Sequence, residues 1–246
     1  MQCAEGRGFC LVATMTVERV LITGANRGIG LGLAREYAAA GWRVHACCRR
    51  PEMARELSRL AAGTEGRVSI HSLDVTNPAQ VAALPAILEG EPLDLLVNNA
   101  GVYGPEDAFG STDRASWLAA FHVNAIAPMQ IMEALAAPVA RSRRKLMACV
   151  SSKMGSMADN RSGGSYAYRS SKAALNAVVA SAALDLRPRG ITVVALNPGW
   201  VKTDMGGPHA EIGVAESANA LRGLLDHLTL ADSGRFIDID GATIPW

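Results

Sequence analysis

Seven short β-rich runs alternating with six stretches of helical period constrain this chain more than any other feature. The runs are Arg19 to Thr23, Arg43 to Cys48, Arg67 to Leu73, Leu93 to Asn98, Lys145 to Ser151, Ile191 to Leu196 and Phe236 to Ile239. Between them lie Gly28 to Ala40, Glu52 to Ala62, Pro78 to Glu89, Arg114 to Ala140, Ser165 to Arg187 and Val214 to His227, each of helical period. Alternation at this spacing reads as repeated βαβ units, hence as a parallel sheet covered by helices on both faces. Runs such as VLIT, LDLLV and ITVVAL are apolar on both sides, as doubly covered strands must be. The predicted fold class is therefore α/β, with a doubly wound, seven-stranded parallel sheet. No linker, charge run or internal repeat divides the 246 residues, so 16–246 is expected to be a single domain. Met15 stands directly before this region, and residues 1–15 are expected to be an optional N-terminal extension.

Composition removes several function classes. Lys and Arg number 24 against 23 Asp and Glu, a formal charge of +1, which argues against a nucleic-acid partner. Hydrophobic residues make up 49% and aromatics only 5%, so the core must be aliphatic. The five cysteines (Cys3, Cys10, Cys47, Cys48, Cys149) show no CxxC spacing. Neither a disulfide scaffold nor a zinc site is expected, and a reducing, cytoplasmic setting is. The five histidines are read as structural, and no metal is expected. No uninterrupted apolar run approaches the roughly 18 residues of a membrane span.

The first strand runs into Thr23-Gly24-Ala25-Asn26-Arg27-Gly28-Ile29-Gly30 and then into a helix. Glycines at such a turn let backbone approach a pyrophosphate, and the helix start offers free N–H groups to that anion. Methyltransferases and plain tight turns use similar clusters. The second strand ends Cys47-Cys48-Arg49-Arg50, without the carboxylate that would take the ribose hydroxyls of NAD. Arg27 and Arg49 could instead form a cationic pocket for a 2′-phosphate, which points to NADP(H). Arg50 is read as a solvated charge.

Tyr168 and Lys172 stand four apart on one helix and project from the same face. A phenol is a poor acid at neutral pH, but an adjacent ammonium favours the phenolate, so the pair could relay a proton. Tyr166 has Ser170 in the corresponding place and lacks the cation. Three further segments end buried runs: LLVNNAG up to Gly101, the strand delivering Ser151 and Ser152, and Asn197-Pro198-Gly199 followed by Val201 and Thr203. In open α/β sheets, ligands lie at the carboxyl ends of the strands.

TGANRGIG, NNAG, VSS, YRSSK and NPGWVKT, in this order, resemble the short-chain dehydrogenase/reductase family in its TGxxxGxG branch. The stretch from SSKMGSM to ALN and the ending FIDIDGATIPW resemble its C-factor-like and sniffer-like carbonyl reductases. The resemblance covers Val17 to Trp246 and implies a single-domain Rossmann fold that binds NADP(H). It implies a tetrad in which Asn124 holds a water linking lysine to solvent, Ser152 hydrogen-bonds the substrate oxygen and Tyr168 is the general acid or base. Lys172 would hold the nicotinamide ribose and depress the tyrosine pKa, and Ser151 is the weaker serine candidate.

Cofactor contacts carry over in the same way: Gly24, Asn26, Arg27, Gly28, Ile29 and Gly30 in the first turn, Arg49 after the second strand, and Asp74 and Val75 at the adenine. Asn98, Ala100 and Gly101 would line the cofactor, with Asn98 equally able to serve only in joining strands. Pro198, Gly199, Val201 and Thr203 would grip the carboxamide end of the nicotinamide. Tyr168 lies sixteen positions after Ser152 rather than the family's usual thirteen or so, and the extra residues are expected to bulge between strand and helix. The implied reaction is hydride transfer between nicotinamide and a small carbonyl or alcohol substrate. Alternatives are a nucleotide-binding sensor with little turnover and an NAD-preferring alcohol dehydrogenase. Asp204 to His209 is expected to form a mobile lid, Tyr103, Met154, Met157 and Trp200 to line the substrate pocket, and the subunits to form a homodimer or homotetramer.

Overall fold

The structure, a computed structural model, describes residues 17–105 and 107–246. The expected extension, and with it Cys3 and Cys10, lies outside the described residues. The strands are β1 (Arg19–Thr23), β2 (Arg43–Cys48), β3 (Val68–Ser72), β4 (Leu95–Asn98), β5 (Leu146–Val150), β6 (Thr192–Leu196) and β7 (Phe236–Ile237). They form one sheet in the order β3-β2-β1-β4-β5-β6-β7, every neighbouring pair parallel. The chain winds outward from β1 to β3, then crosses to β4 and winds the other way. The crevice for a ligand therefore opens at the carboxyl ends of β1 and β4, where the winding reverses.

The helices are α1 (Gly28–Ala39), α2 (Arg55–Ala62), α3 (Pro78–Ala82), α4 (Arg114–Phe121), α5 (Ala127–Arg141), α6 (Tyr166–Leu186) and α7 (Val214–His227). One aliphatic core packs Leu33, Tyr37, Leu57 and Leu221 on the α1, α2 and α7 face of the sheet. The other packs Leu84, Ile131, Leu135, Leu175 and Val179 on the α3, α5 and α6 face. Strands buried on both sides need apolar residues at successive positions, which is why β5 and β6 are buried throughout.

Three expected helices are interrupted: Glu52 to Ala62 divides into a 3₁₀ turn, Pro51 to Met53, and α2, and two others break at a proline. Pro78 to Glu89 divides into α3, capped by the Asn77 side chain accepting from the Ala79 and Gln80 N–H groups, and a 3₁₀ segment from Leu84 to Leu88. Pro85 has no N–H to continue the α-helical ladder. Arg114 to Ala140 starts from the Asp113 cap and contains a π segment, His122 to Ile126, between α4 and α5. Pro128, in the first turn of α5, has no N–H for the carbonyl of Asn124, four residues back. Within the continuous run 114–141 an 18-residue window reaches a mean hydropathy of 1.2, enough for a membrane span by length and composition, yet 56% of that window is buried inside the protein. That burial is what a core helix shows.

Candidate active site

The glycine turn is built by two residues that sequence reasoning passed over. The Thr23 hydroxyl accepts the N–H groups of Asn99 and Ala100, both at 3.0 Å. The Asn99 side chain returns to donate to the carbonyls of Thr23 and Gly24, at 2.9 and 3.2 Å. A methyl group on Gly30 would lie 2.4 Å from the Gly24 oxygen and 2.5 Å from Asn99 Nδ2, so only glycine allows this closure. The NNAG segment thus locks the turn, and the signal that could have shown it was the pairing of β1 with β4. Asn98, by contrast, is buried and donates to the Pro128 carbonyl at 3.3 Å and towards Cys149 Sγ at 3.8 Å. Its side chain joins β4 to α5 and β5, the structural reading of the two.

The start of α1 fits a phosphorylated dinucleotide. Its first turn holds no acidic residue, and no side chain caps it, so the helix presents an unopposed positive end. Arg27, immediately before α1, is exposed and pairs with Asp204 of the loop after β6. Arg49 and Arg50 are exposed at the end of β2. The Asp74 side chain accepts from the N–H and hydroxyl of Thr76, at 2.9 and 2.7 Å, and these bonds hold its carboxyl below the usual range. Val75 is buried, in the same core that holds Val81 and Leu84.

Asn124, Ser152, Tyr168 and Lys172 converge from three segments. Asn124 sits fully buried in the π segment; its Oδ1 accepts from Val102 N–H at 2.9 Å, and its Nδ2 donates to the Val102 carbonyl and to Ser171 Oγ. The amide thus fastens the NNAG loop to α6. A methyl group on Gly101 would stand 3.3 Å from Asn124 Oδ1 and 3.7 Å from Lys172 Nζ, which measures how closely the three approach. Lys172 is buried and donates from Nζ to the Val150 carbonyl at 2.8 Å. Ser151 is spent on a 2.6 Å hydrogen bond to Asn176, whereas Ser152 faces Tyr168.

Gly155 presses directly on α6: a methyl group there would be 2.9 Å from the backbone carbon and from Cβ of Lys172. The Ser152 loop is also held from β6, since Asn197 Oδ1 accepts from Lys153 N–H at 3.0 Å. Asn197 Nδ2 in turn donates to Asp238 at 2.7 Å, and Asp238 pairs with Lys153. The expected bulge is present between Ser152 and α6, with Gly163, Gly164 and Ser165 all at positive φ. Arg169 ties it down through Ser162 Oγ and the carbonyls of Gly163 and Met154.

The electrostatics reverse one expectation. Burial pushes the Tyr168 phenol up to about 12, a hydrogen bond with Ser152 opposes the rise, and Tyr103 adds to it. Lys172 does not bring it down: burial lowers the lysine itself to about 8, and Nζ lies 5.8 Å from the phenol ring centre. Desolvation is the largest cause acting on each of the two groups.

The loop expected to be a mobile lid is extensively tied. Trp200 donates from Nε1 to the Gly206 carbonyl at 2.8 Å. Gly206 and Gly207 donate to Thr203, and Lys202 and Ile212 bond across its base. Trp200 and Met157 are 51% and 74% exposed and so are not core residues, while Tyr103 packs against Tyr168.

Residues 18–211 match the sequence pattern of the family described as short chain dehydrogenase. The chain belongs to that family. As a member it is an oxidoreductase. It is 44% identical over 155 residues to the C-signal protein of Myxococcus xanthus, covering 63% of this chain and 93% of that one. Carbonyl reductase Sniffer of D. melanogaster superposes with a TM-score of 0.88 at 33% identity, covering 94% of this chain and 100% of that one. An NADPH-bound carbonyl reductase from chicken fatty liver gives 0.88 at 34% identity, covering 94% and 99%.

Proposed function

We propose that this chain is an NADP(H)-dependent carbonyl reductase in which Tyr168 is the proton donor. The observation that carries the reading is the Tyr168 phenol, buried beside Ser152 at the carboxyl end of β5 with Lys172 one helical turn away. A dinucleotide would be held by Gly24, Asn26, Arg27, Gly28, Ile29 and Gly30, with Arg27 and Arg49 on the 2′-phosphate. Asp74 and the Val75 backbone would meet the adenine, Ala100 and Gly101 the middle of the cofactor, and Pro198, Gly199, Val201 and Thr203 its nicotinamide end. When bound, the reduced nicotinamide supplies hydride to the carbonyl carbon.

The chain's own residues then manage the oxygen. Ser152 donates a hydrogen bond to it, and Tyr168 hands over its phenolic proton as the C=O bond becomes a C–O single bond. Hydrogen bonds aimed at such developing charge are each worth about 3 kcal/mol of barrier. Lys172 returns a proton towards the phenolate. Asn124, whose carbonyl cannot receive an α-helical N–H from Pro128, is the residue proposed to hold a water on that route. Tyr103, Met154, Met157 and Trp200 offer a largely apolar wall to the substrate. The outer side of α4 and its continuation expose Leu118 and Ile126, at 62% and 47%, and this face is the one proposed for association of subunits into a homodimer or homotetramer.

The test is loss of NADPH absorbance with a panel of aldehydes, ketones and quinones. Tyr168→Phe is expected to abolish turnover while retaining NADPH binding, and full activity in that variant removes Tyr168 from the mechanism. Tighter binding of NADH than of NADPH contradicts the roles of Arg27 and Arg49.

A further inference from the structure

The loop between β4 and α4 reaches over the start of α6 and touches it at four points. The Tyr103 ring stacks on the Tyr168 ring, with centroids 4.5 Å apart and 29° between the planes. The Tyr103 hydroxyl and Ser165 Oγ share a hydrogen bond at 3.0 Å. The Asp107 carbonyl accepts the Ser165 N–H at 2.9 Å, and Asp107 Oδ2 accepts the Ala167 N–H at 3.0 Å. Helix starts leave N–H groups without intrahelical partners, and a side chain at the cap position ordinarily takes one. Ser165 cannot do so: it sits at φ 48° and makes no side-chain cap. The cap arrives instead from a residue 60 positions earlier in the chain. It lands on the residue next to Tyr168.

Asp107 itself is buried, and its Oδ1 has no hydrogen-bond partner among the described residues. A buried carboxylate with one oxygen unpaired costs stability, and an apolar side chain would serve packing better. Its contribution is geometric: it fixes where α6 begins, while Tyr103 fixes the plane of the phenol. Resting on the reading of Tyr168 as the proton donor, we propose that Asp107 and Tyr103 are positioning residues that hold Tyr168 against Ser152 from outside the tetrad.

Asp107→Ala, Asp107→Asn, Tyr103→Phe and Tyr103→Ala are compared in the full chain by two independent readouts. The first is hydrogen exchange of the peptide spanning the first turn of α6, which needs no turnover. Asp107→Ala is expected to speed that exchange by about fivefold, the worth of a lost helix cap. Asp107→Asn, whose amide oxygen can still accept from Ala167, stays close to wild type. The second is steady-state kinetics: kcat falls by about tenfold in Asp107→Ala, with KM for the carbonyl and NADPH affinity unchanged, whereas Tyr103→Ala, which also removes part of the substrate wall, loses kcat and raises KM for the carbonyl with NADPH affinity unchanged. Tyr103→Phe keeps the stack and falls less.

Unchanged exchange at the start of α6 in Asp107→Ala overturns the proposal. So does a parallel loss of thermal midpoint, NADPH affinity and kcat in both Asp107 variants, which marks a general structural role. A wild-type chain that binds NADPH but reduces no carbonyl overturns the functional reading instead, and the exchange comparison still decides whether the brace exists.

Discussion

Lys172 donates from Nζ to the carbonyl of Val150 at 2.8 Å, inside the protein and one helical turn beyond Tyr168. The backbone of β5 thus holds the amine on the side of the tyrosine where the NNAG loop and Asn124 arrive. Burial lowers the lysine to about 8 from 10.5. In that window the unfolded chain binds a proton that the folded chain does not, so stability rises with pH. A shift of this size corresponds to roughly 3 kcal/mol across the full window. Tyr168 acts in the opposite sense, but only above its ordinary value of 10. Between pH 8 and 10, the stability of wild type relative to Lys172→Met is therefore expected to climb in urea titrations. A flat difference contradicts a buried lysine. The same variant is expected to lose turnover by at least about a hundredfold.

Arg27 pairs with Asp204 across the cofactor crevice, although both side chains are largely exposed. The carboxylate competes with a 2′-phosphate for the same guanidinium. Asp204→Asn is expected to tighten NADPH by about two- to fivefold, the worth of an exposed ion pair, and to leave NADH unaffected. Fluorescence titration of both cofactors checks this; equal tightening of the two speaks against a 2′-phosphate role for Arg27.

His45 on β2 and His71 on β3 place Nδ1 and Nε2 3.2 Å apart, with their rings stacked. Burial, then His71, Arg43 and Arg19, lower His45 to about 4 from 6.5, and burial lowers His71 as well. As the pH falls through that window the unfolded chain takes up protons that the folded chain refuses. Stability is complete above the ordinary value and is lost on acidification, by about 3 kcal/mol for His45. His45→Leu is expected to flatten the denaturation midpoint between pH 6.5 and 4, and an unchanged slope there removes the pair as the cause.

Gly155→Ala places a methyl group 2.9 Å from the Lys172 backbone, which cannot yield without moving α6 or the Ser152 loop. The expected cost is about 1–3 kcal/mol in stability, with kcat falling more than NADPH affinity because the displaced loop carries Ser152. Thermal denaturation and steady-state kinetics on one preparation measure both. Wild-type kcat in a folded Gly155→Ala protein contradicts tight packing of the loop on the helix.

The strands, their parallel pairing and the motif residues were legible because each is a local signal. A doubly buried strand must be apolar at successive positions, and a glycine turn must fall between strand and helix. The breaks at Pro85 and Pro128 were legible only as prolines. Whether a proline ends a helix or is absorbed as a π turn depends on what packs around it, and the NNAG loop and α6 pack around Asn124. The Asn99 lock on the glycine turn was hidden because its partners, Thr23 and Gly24, lie 76 and 75 positions away.

The sequence by itself determined a doubly wound α/β chain of the short-chain dehydrogenase family and named the residues that meet at its crevice, since strand and helix periodicity and motif order are written along the chain. Tertiary structure alone decided that Tyr168 is raised rather than lowered, that Arg27 faces Asp204, and that α6 is capped by a distant aspartate. Desolvation, ion pairing and capping depend on the distances between segments remote in the chain, and those distances are set only when both faces of the sheet are packed.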